Sequence, residues 1–192
     1  EIRSFLLDTS VLARMSAPLC SAVTGRPDAK VILDRLDRSN LFVVALDERR
    51  GWYRYHHLFA EVLRARLADG PPDHVVDLHR AASTWWEADG DRAEAIRHSL
   101  AAGDVERAAE LIELSVPHLR EARLDGTLRG WMDALPEWVF ADRPVLNLGR
   151  VGSRMVTSET EGVSAMLDDV EAWLEPDAPS GDMVVHDHVE LA

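Results

Sequence analysis

The sequence predicts a mainly α chain, a winged-helix domain with a small β-hairpin wing followed by α-hairpin repeats that begin a solenoid. Three observations carry this reading. Three short helical patterns precede two strand-like segments around a turn and then a further helix, which is the element order of a winged helix. The run Asp69-Gly70-Pro71-Pro72-Asp73 has the composition of a linker. Beyond it the chain shows helical stripes and no strand, with a short internal repeat. The implied division is a winged-helix domain over 1–68, a linker over 69–73 and a truncated helical-repeat region over 74–192.

Residues 2–8 read as a helix burying Phe5, Leu6 and Leu7. Ser16, with Pro18 two residues later, starts a second helix, and Gly25 is a fitting residue to stop it. Asp28 caps a third, with Val31, Ile32, Leu33 and Leu36 inside and Asp34 paired with Arg38 on the outer face. Asn40 ends it. Residues 41–46 then read as a buried strand, 47–51 as a loop and 52–55 as the return strand, rich in aromatic residues that suit a pleated surface. Leu58, Phe59, Val62 and Leu63 follow as one helical stripe. His56 and His57 stand at the joint between strand and helix, where a helix N-terminus favours an anion.

After the linker, Val75, Leu78, Ala82 and Trp85 with Trp86 form one face of a helix that Gly90 closes. Gly90-Asp91-x-x-x-Ala95-Ile96 recurs thirteen residues on as Gly103-Asp104-x-x-x-Ala108-Ala109. Each Gly ends one helix, each Asp caps the next, and the small Ala residues allow close helix packing. The helix from Val105 buries Ala108, Ala109, Ile112, Val116 and Leu119, with Pro117 breaking it. Leu128, Trp131, Met132 and Leu135 fit the next helix, and Asp142 with Pro144 restarts one to about Val156. A last helix is expected over 160–174, with Val163, Met166, Leu167, Val170 and Leu174 inside, then a loop over 175–181 and a short acidic tail. Trp85, Trp86, Trp131 and Trp138 read as repeat core rather than as a ligand box.

The net charge of −13 is uneven, since residues 1–70 carry +2 and the remainder −15. An acidic second half excludes phosphate-backbone binding there. The single cysteine, Cys20, excludes a disulfide framework and fits a reducing cytoplasm. No signal peptide is visible and no apolar run is long enough to span a membrane. The opening residues already lie in a helical pattern, so the chain reads as a piece of something longer.

Several strings together resemble one family. They are Phe5-Leu6-Leu7-x-Thr9-Ser10-Val11-Leu12, Leu19-Cys20-x-Ala22-Val23-Thr24-Gly25, Leu36-x-x-Ser39-Asn40-Leu41-Phe42 and Trp52-Tyr53-Arg54-Tyr55-His56-His57-Leu58-Phe59. Further on come Ala93-Glu94-Ala95-Ile96-Arg97-His98-x-Leu100, Ala108-Ala109-Glu110-Leu111-Ile112 and Trp131-Met132-Asp133-Ala134-Leu135-Pro136. These are similar to LuxR-family transcriptional regulators of the MalT type, large signal-transduction ATPases of the STAND class. The resemblance is specific to about residue 140. It implies an order of ATPase module, winged helix, TPR-like superhelical array and DNA-binding helix-turn-helix. This chain would supply the winged helix and the first TPR-like helix pairs. ATP or ADP, and DNA, would then belong to the parent protein, and an inducer or protein partner to the repeats. The chain has no Gly-x-x-x-x-Gly-Lys-[Ser/Thr] loop, so it holds no cofactor and catalyses nothing by this reading. The expected role is a cytoplasmic relay of nucleotide state and inducer binding.

His56 is the candidate site residue. The resemblance implies a His at the start of the last winged-helix helix, in a Met-His-Asp-Leu-like pattern, that reaches the β-phosphate of ADP. Here the string is Tyr55-His56-His57-Leu58, with His57 in place of Asp. An imidazole N–H can donate to a phosphate oxygen. The plainer reading is that His56 only packs and bonds at the joint. Two other classes stay open. A DNA-binding winged helix would place 30–38 in the major groove with Arg49, Arg50 and Arg54 on the wing, but Asp28, Asp34, Asp37, Asp47 and Glu48 interrupt both surfaces. A helical-repeat protein-binding scaffold is the other. His74-x-x-x-x-His79 and His186-x-His188 match no metal-ligand pattern.

Overall fold

The computed structural model describes residues 2–39 and 42–156, together with residues 163, 164, 167 and 171. It is mainly helical with one two-stranded antiparallel sheet. Contacts group it into two units, Glu1–Gly103 and Asp104–Ala192.

The first unit begins with α1 (Ile2–Asp8), a 3₁₀ turn (Thr9–Val11), α2 (Ala17–Thr24) and α3 (Ala29–Arg38). Ser16 caps α2 by accepting from the Leu19 N–H, and Gly25 ends it at φ 67°, a conformation that disfavours any Cβ. Asp28 stands before α3 but does not cap it, because the Arg26 guanidinium holds its carboxylate at 2.8 and 3.0 Å. Asp34 pairs with Lys30 at 3.5 Å, and Arg38 donates to the Asp34 carbonyl instead of its carboxylate. Val31 is 68% exposed, contrary to the predicted stripe. The buried face runs through Ala29, Ile32 and Leu33, and Val31 lies off that line.

The hairpin pairs β1 (Val43–Ala45) with β2 (Tyr53–Tyr55), in register Val43↔Tyr55 and Ala45↔Tyr53. Those four residues face inward or partly so, whereas Val44 and Leu46 are exposed, so the expected buried strand is a half-buried ribbon. Asn40 and Leu41, expected to end α3 and start β1, lie outside the described residues. Asp47 closes the turn by accepting from the Gly51 and Trp52 N–H groups at 3.0 and 2.7 Å. Met15 extends the pairing by exchanging two backbone bonds with Tyr53, at 2.7 and 2.8 Å.

Next comes α4 (His57–Ala68), which buries Ala60, Leu63 and Leu67. Leu58 and Val62, assigned to the core from sequence, are 59% and 58% exposed and lie one turn apart on the outer face. Under these elements lie Phe5, Leu12, Met15, Leu19, Leu33 and Cys20, all buried. Burial pushes the Cys20 thiol up to about 12.

Helix α5 (Pro72–Asp89) begins inside the proline-rich 69–73 stretch and pairs with α6 (Arg92–Ala101). Ser83 donates to the Ala95 carbonyl at 2.9 Å, while His79, one turn earlier, meets His98, one turn later, at 2.8 Å. The contacts run in opposite directions along the chain, so the pair is antiparallel, the building block of TPR-like repeats. In the same unit Trp52 stacks on Trp86 at 5.5 Å, and Arg14 lies 4.8 and 4.6 Å over their rings while bonding Asp91 at 2.6 Å.

The second unit holds α7 (Val105–Glu113), α8 (Val116–Glu121), α9 (Asp125–Asp133), a 3₁₀ turn (Glu137–Phe140) and α10 (Pro144–Val156). The internal repeat is realised twice. Gly90 and Gly103 adopt φ 91° and 67°, and Asp91 and Asp104 accept from the N–H three residues on. The helix from Val105 breaks as expected, α7 ending at Glu113 and α8 starting at Val116, with Pro117 in the first turn of α8. Leu128, Met132 and Leu135 are buried as expected, but Trp138 is 60% exposed. A Cβ on Gly149 would come within 2.9 Å of Val116 and Met132, so α10 approaches α8 and α9 through a glycine. Arg143 donates to the buried Glu113 at 2.7 Å and to Glu106 at 3.1 Å. Of the helix expected over 160–174, residues 163, 164, 167 and 171 are helical; Val163 is buried but Leu167 is exposed. The loop over 175–181, the tail and His186 with His188 lie outside the described residues.

Candidate functional site

Sequence reasoning placed the site at the strand-to-helix joint, and the structure builds that joint from both sides. Tyr55, at the end of β2, is buried, and its hydroxyl lies 2.6 Å from that of Thr9. Thr9 gives its own hydrogen to the Phe5 carbonyl at 2.6 Å, so Tyr55 is the donor between the two. Burial raises the Tyr55 pKa, which keeps this donor protonated. Phe42 enters β1 at φ 67°, a left-handed conformation rare for an aromatic residue. Its carbonyl accepts from the His56 N–H at 2.8 Å, and its ring stacks on Phe59 of α4 at 4.3 Å. Tyr55 meets the edge of the same Phe59 ring at 5.7 Å. Three aromatic rings and one backbone bond therefore fix where β2 stops and α4 starts.

His56 occupies the N-cap position of α4, with extended ψ of 135°. Its carbonyl accepts the first helical bond, from Ala60, at 2.9 Å. Its side chain makes no cap bond and is exposed, as is that of His57, whose ring lies 4.6 Å away. Among the described residues the first-turn N–H groups of α4 meet no side-chain acceptor, beside two imidazoles. Such an end carries partial positive charge and suits a phosphate or carboxylate. His56 stands at the position for which the resemblance implied a β-phosphate contact, with His57 where an Asp was expected.

Two of the cations considered for DNA are engaged by acids. Lys30 pairs with Asp34, and Arg50 bonds Asp37. The histidine pair at 74 and 79 is split: His74 bonds Asp8 at 2.8 Å, and His79 turns inward to His98. No cluster of three metal-ligating groups occurs among the described residues.

One polar network had no signal in the sequence. Arg97 donates to His98 Nε2 at 2.7 Å and to Glu94 at 2.7 Å. His98 must then carry its hydrogen on Nδ1 and donate to His79 Nδ1 at 2.8 Å. Burial first, then the Arg97 charge and His79, push fully buried His98 down to about 3, and burial with Arg97 lowers His79. The 3.9 Å separation of His98 from Glu94 is therefore no ion pair, because the ring is neutral. The partners come from different helices, nineteen residues apart at His79 and His98, which a local reading does not connect.

Comparison with known proteins gives the family context. Residues 1–75 match the MalT winged helix domain. The serine/threonine-protein kinase PknK of Mycobacterium tuberculosis (strain H37Rv) is 32% identical over 174 residues, covering 91% of this chain and 16% of the kinase. The HTH-type transcriptional regulator MalT of Yersinia pestis (strain Pestoides F) is 33% identical over 174 residues, 89% of this chain and 19% of that protein. Its counterpart in Klebsiella pneumoniae subsp. pneumoniae is 37% identical over 110 residues, 57% of this chain and 12% of that protein. The chain thus spans less than a fifth of the length of these relatives.

Proposed function

We propose, from the match of residues 1–75 to the MalT winged helix domain, that the chain is a non-catalytic relay within an ATP-dependent transcriptional activator. It would pass nucleotide state and inducer or partner binding to a DNA-binding domain outside these residues. The observation that carries this is the joint at His56: an exposed imidazole on an uncapped helix end, held by the buried Tyr55 and by Phe42. In the parent protein His56 would donate its ring N–H to the β-phosphate of ADP bound by the ATPase module. Loss of that contact would release the module. The exposed Leu58 and Val62 on the same helix supply an apolar face against which the module would rest. No described helix is long and apolar enough to cross a membrane, and a cytoplasmic site of action agrees with the role.

The test is ADP retention by the full-length protein. His56→Ala should speed ADP release about tenfold, the scale of a coupling near 1.4 kcal/mol, and His56→Gln should restore part of it. Release at the wild-type rate from both variants would remove the nucleotide-sensing role.

A second reading is favoured by the span of the kinase match, which reaches 91% of the chain. The same relay would then regulate a kinase domain. The domain encoded upstream decides between the two.

A further inference from the structure

The first unit contains a cavity of about 310 Å³ that the relay role does not use. Val11, Ala13, Leu67, Ala68 and Val75 give it apolar walls, and Arg64, His79 and Arg97 give it polar ones. Exposed Ala13, Arg64 and Ala68 mark its mouth. At ~30 Å³ per water in the liquid, it would take roughly ten heavy atoms.

Its charge is one-sided. Among the described residues no carboxylate lines it, in a chain of net charge −13, although Glu94 pairs with the lining Arg97 at 2.7 Å. Arg64, from α4, is held by one bond, Nε to the Ser10 carbonyl at 3.0 Å. Its two terminal amino groups meet no carboxylate among the described residues. Arg97, from α6, gives Nε and one amino group to Glu94 and shares that amino group with His98. His79, from α5, accepts from His98 at Nδ1, so its Nε2 carries a hydrogen to donate. Two arginines and a histidine thus line a mostly apolar hollow. Partly enclosed cationic groups with low-dielectric walls attract an anion more strongly than exposed ones do.

We propose that this cavity binds a small amphiphilic carboxylate, its head on Arg64 and Arg97 and its apolar body against Val11, Leu67 and Val75. Charge-assisted bonds from a guanidinium fork suit a carboxylate, and the apolar walls select a hydrocarbon body over a hydrated inorganic ion. The site is independent of the nucleotide role proposed for His56, which lies at the other end of α4, and neither test depends on the other.

The experiment titrates residues 1–192 with octanoate, octan-1-ol and inorganic phosphate, reading the His79 ring resonances and the heat of binding. Octanoate should bind and shift His79, with octanol and phosphate each at least about tenfold weaker. Arg64→Gln should weaken octanoate about tenfold or more, as loss of a charged hydrogen bond does. Ala68→Phe, which fills the mouth and keeps every charge, should abolish the His79 shift. If Arg64→Gln proves unfolded by circular dichroism, Ala68→Phe carries the test alone. Absence of octanoate binding, equal binding of octanol or of phosphate, or wild-type binding by the folded variants would overturn the proposal.

Discussion

Two buried side chains act in opposite ways on proton balance. Tyr55 keeps its proton and spends it on Thr9, so it ties β2 to the turn after α1. His98 must stay unprotonated at Nε2, because Arg97 donates there. Its pKa falls from 6.5 to about 3 on folding, mainly through burial. The unfolded chain therefore takes up this proton first as pH falls below about 6.5, and the native state loses ground until about pH 3. Stability should be full above that window and drop by up to ~1.4 kcal/mol per pH unit within it, with His79 adding in the same direction. Urea midpoints at pH 7 and pH 5 would show the drop. In His98→Leu the slope between the two should flatten. The position of His56 could be read in sequence, because strand and helix signals meet there. The chain through Arg97, His98 and His79 could not, since its two rings sit on different helices nineteen residues apart.

Among the secondary elements, the two Gly-Asp junctions are the most informative. Each uses a glycine with positive φ and an aspartate whose carboxylate caps the following helix. Asp104→Ala should cost about 1 kcal/mol, the value of one N-cap. Asp91→Ala should cost at least as much as one cap and also release Arg14, which Asp91 holds at 2.6 Å over Trp52 and Trp86. Thermal denaturation of the two variants would measure the losses, and an unchanged midpoint in either would refute its cap. These junctions were legible because glycine, aspartate and the helical pattern after them are all local. Helix faces were less so. On α3 and α4 the apolar residues outnumber the places that the core offers, so Val31, Leu58 and Val62 read as buried but face outward. Likewise the pairing of Arg143 with Glu113 spans thirty residues and leaves no periodic trace.

For the chain as a whole, charge sets the partners. In the winged helix Lys30 and Arg50 are tied to acids, and residues 71–192 carry −15. Labelled duplex DNA titrated with the chain at low salt should show no salt-dependent binding, and a steep salt slope would instead establish a phosphate-binding face. The fold class was visible in the order of its elements, and the family likeness over 1–75 agrees with that order. One more property follows from the lone, fully buried Cys20, whose thiol is held up to about 12. A maleimide or disulfide reagent finds no nucleophile on the closed protein, so its slow reaction would time the moments when the interior lies open. By the same token, a cysteine introduced at position 56 would carry a fluorophore with no background from the rest of the chain.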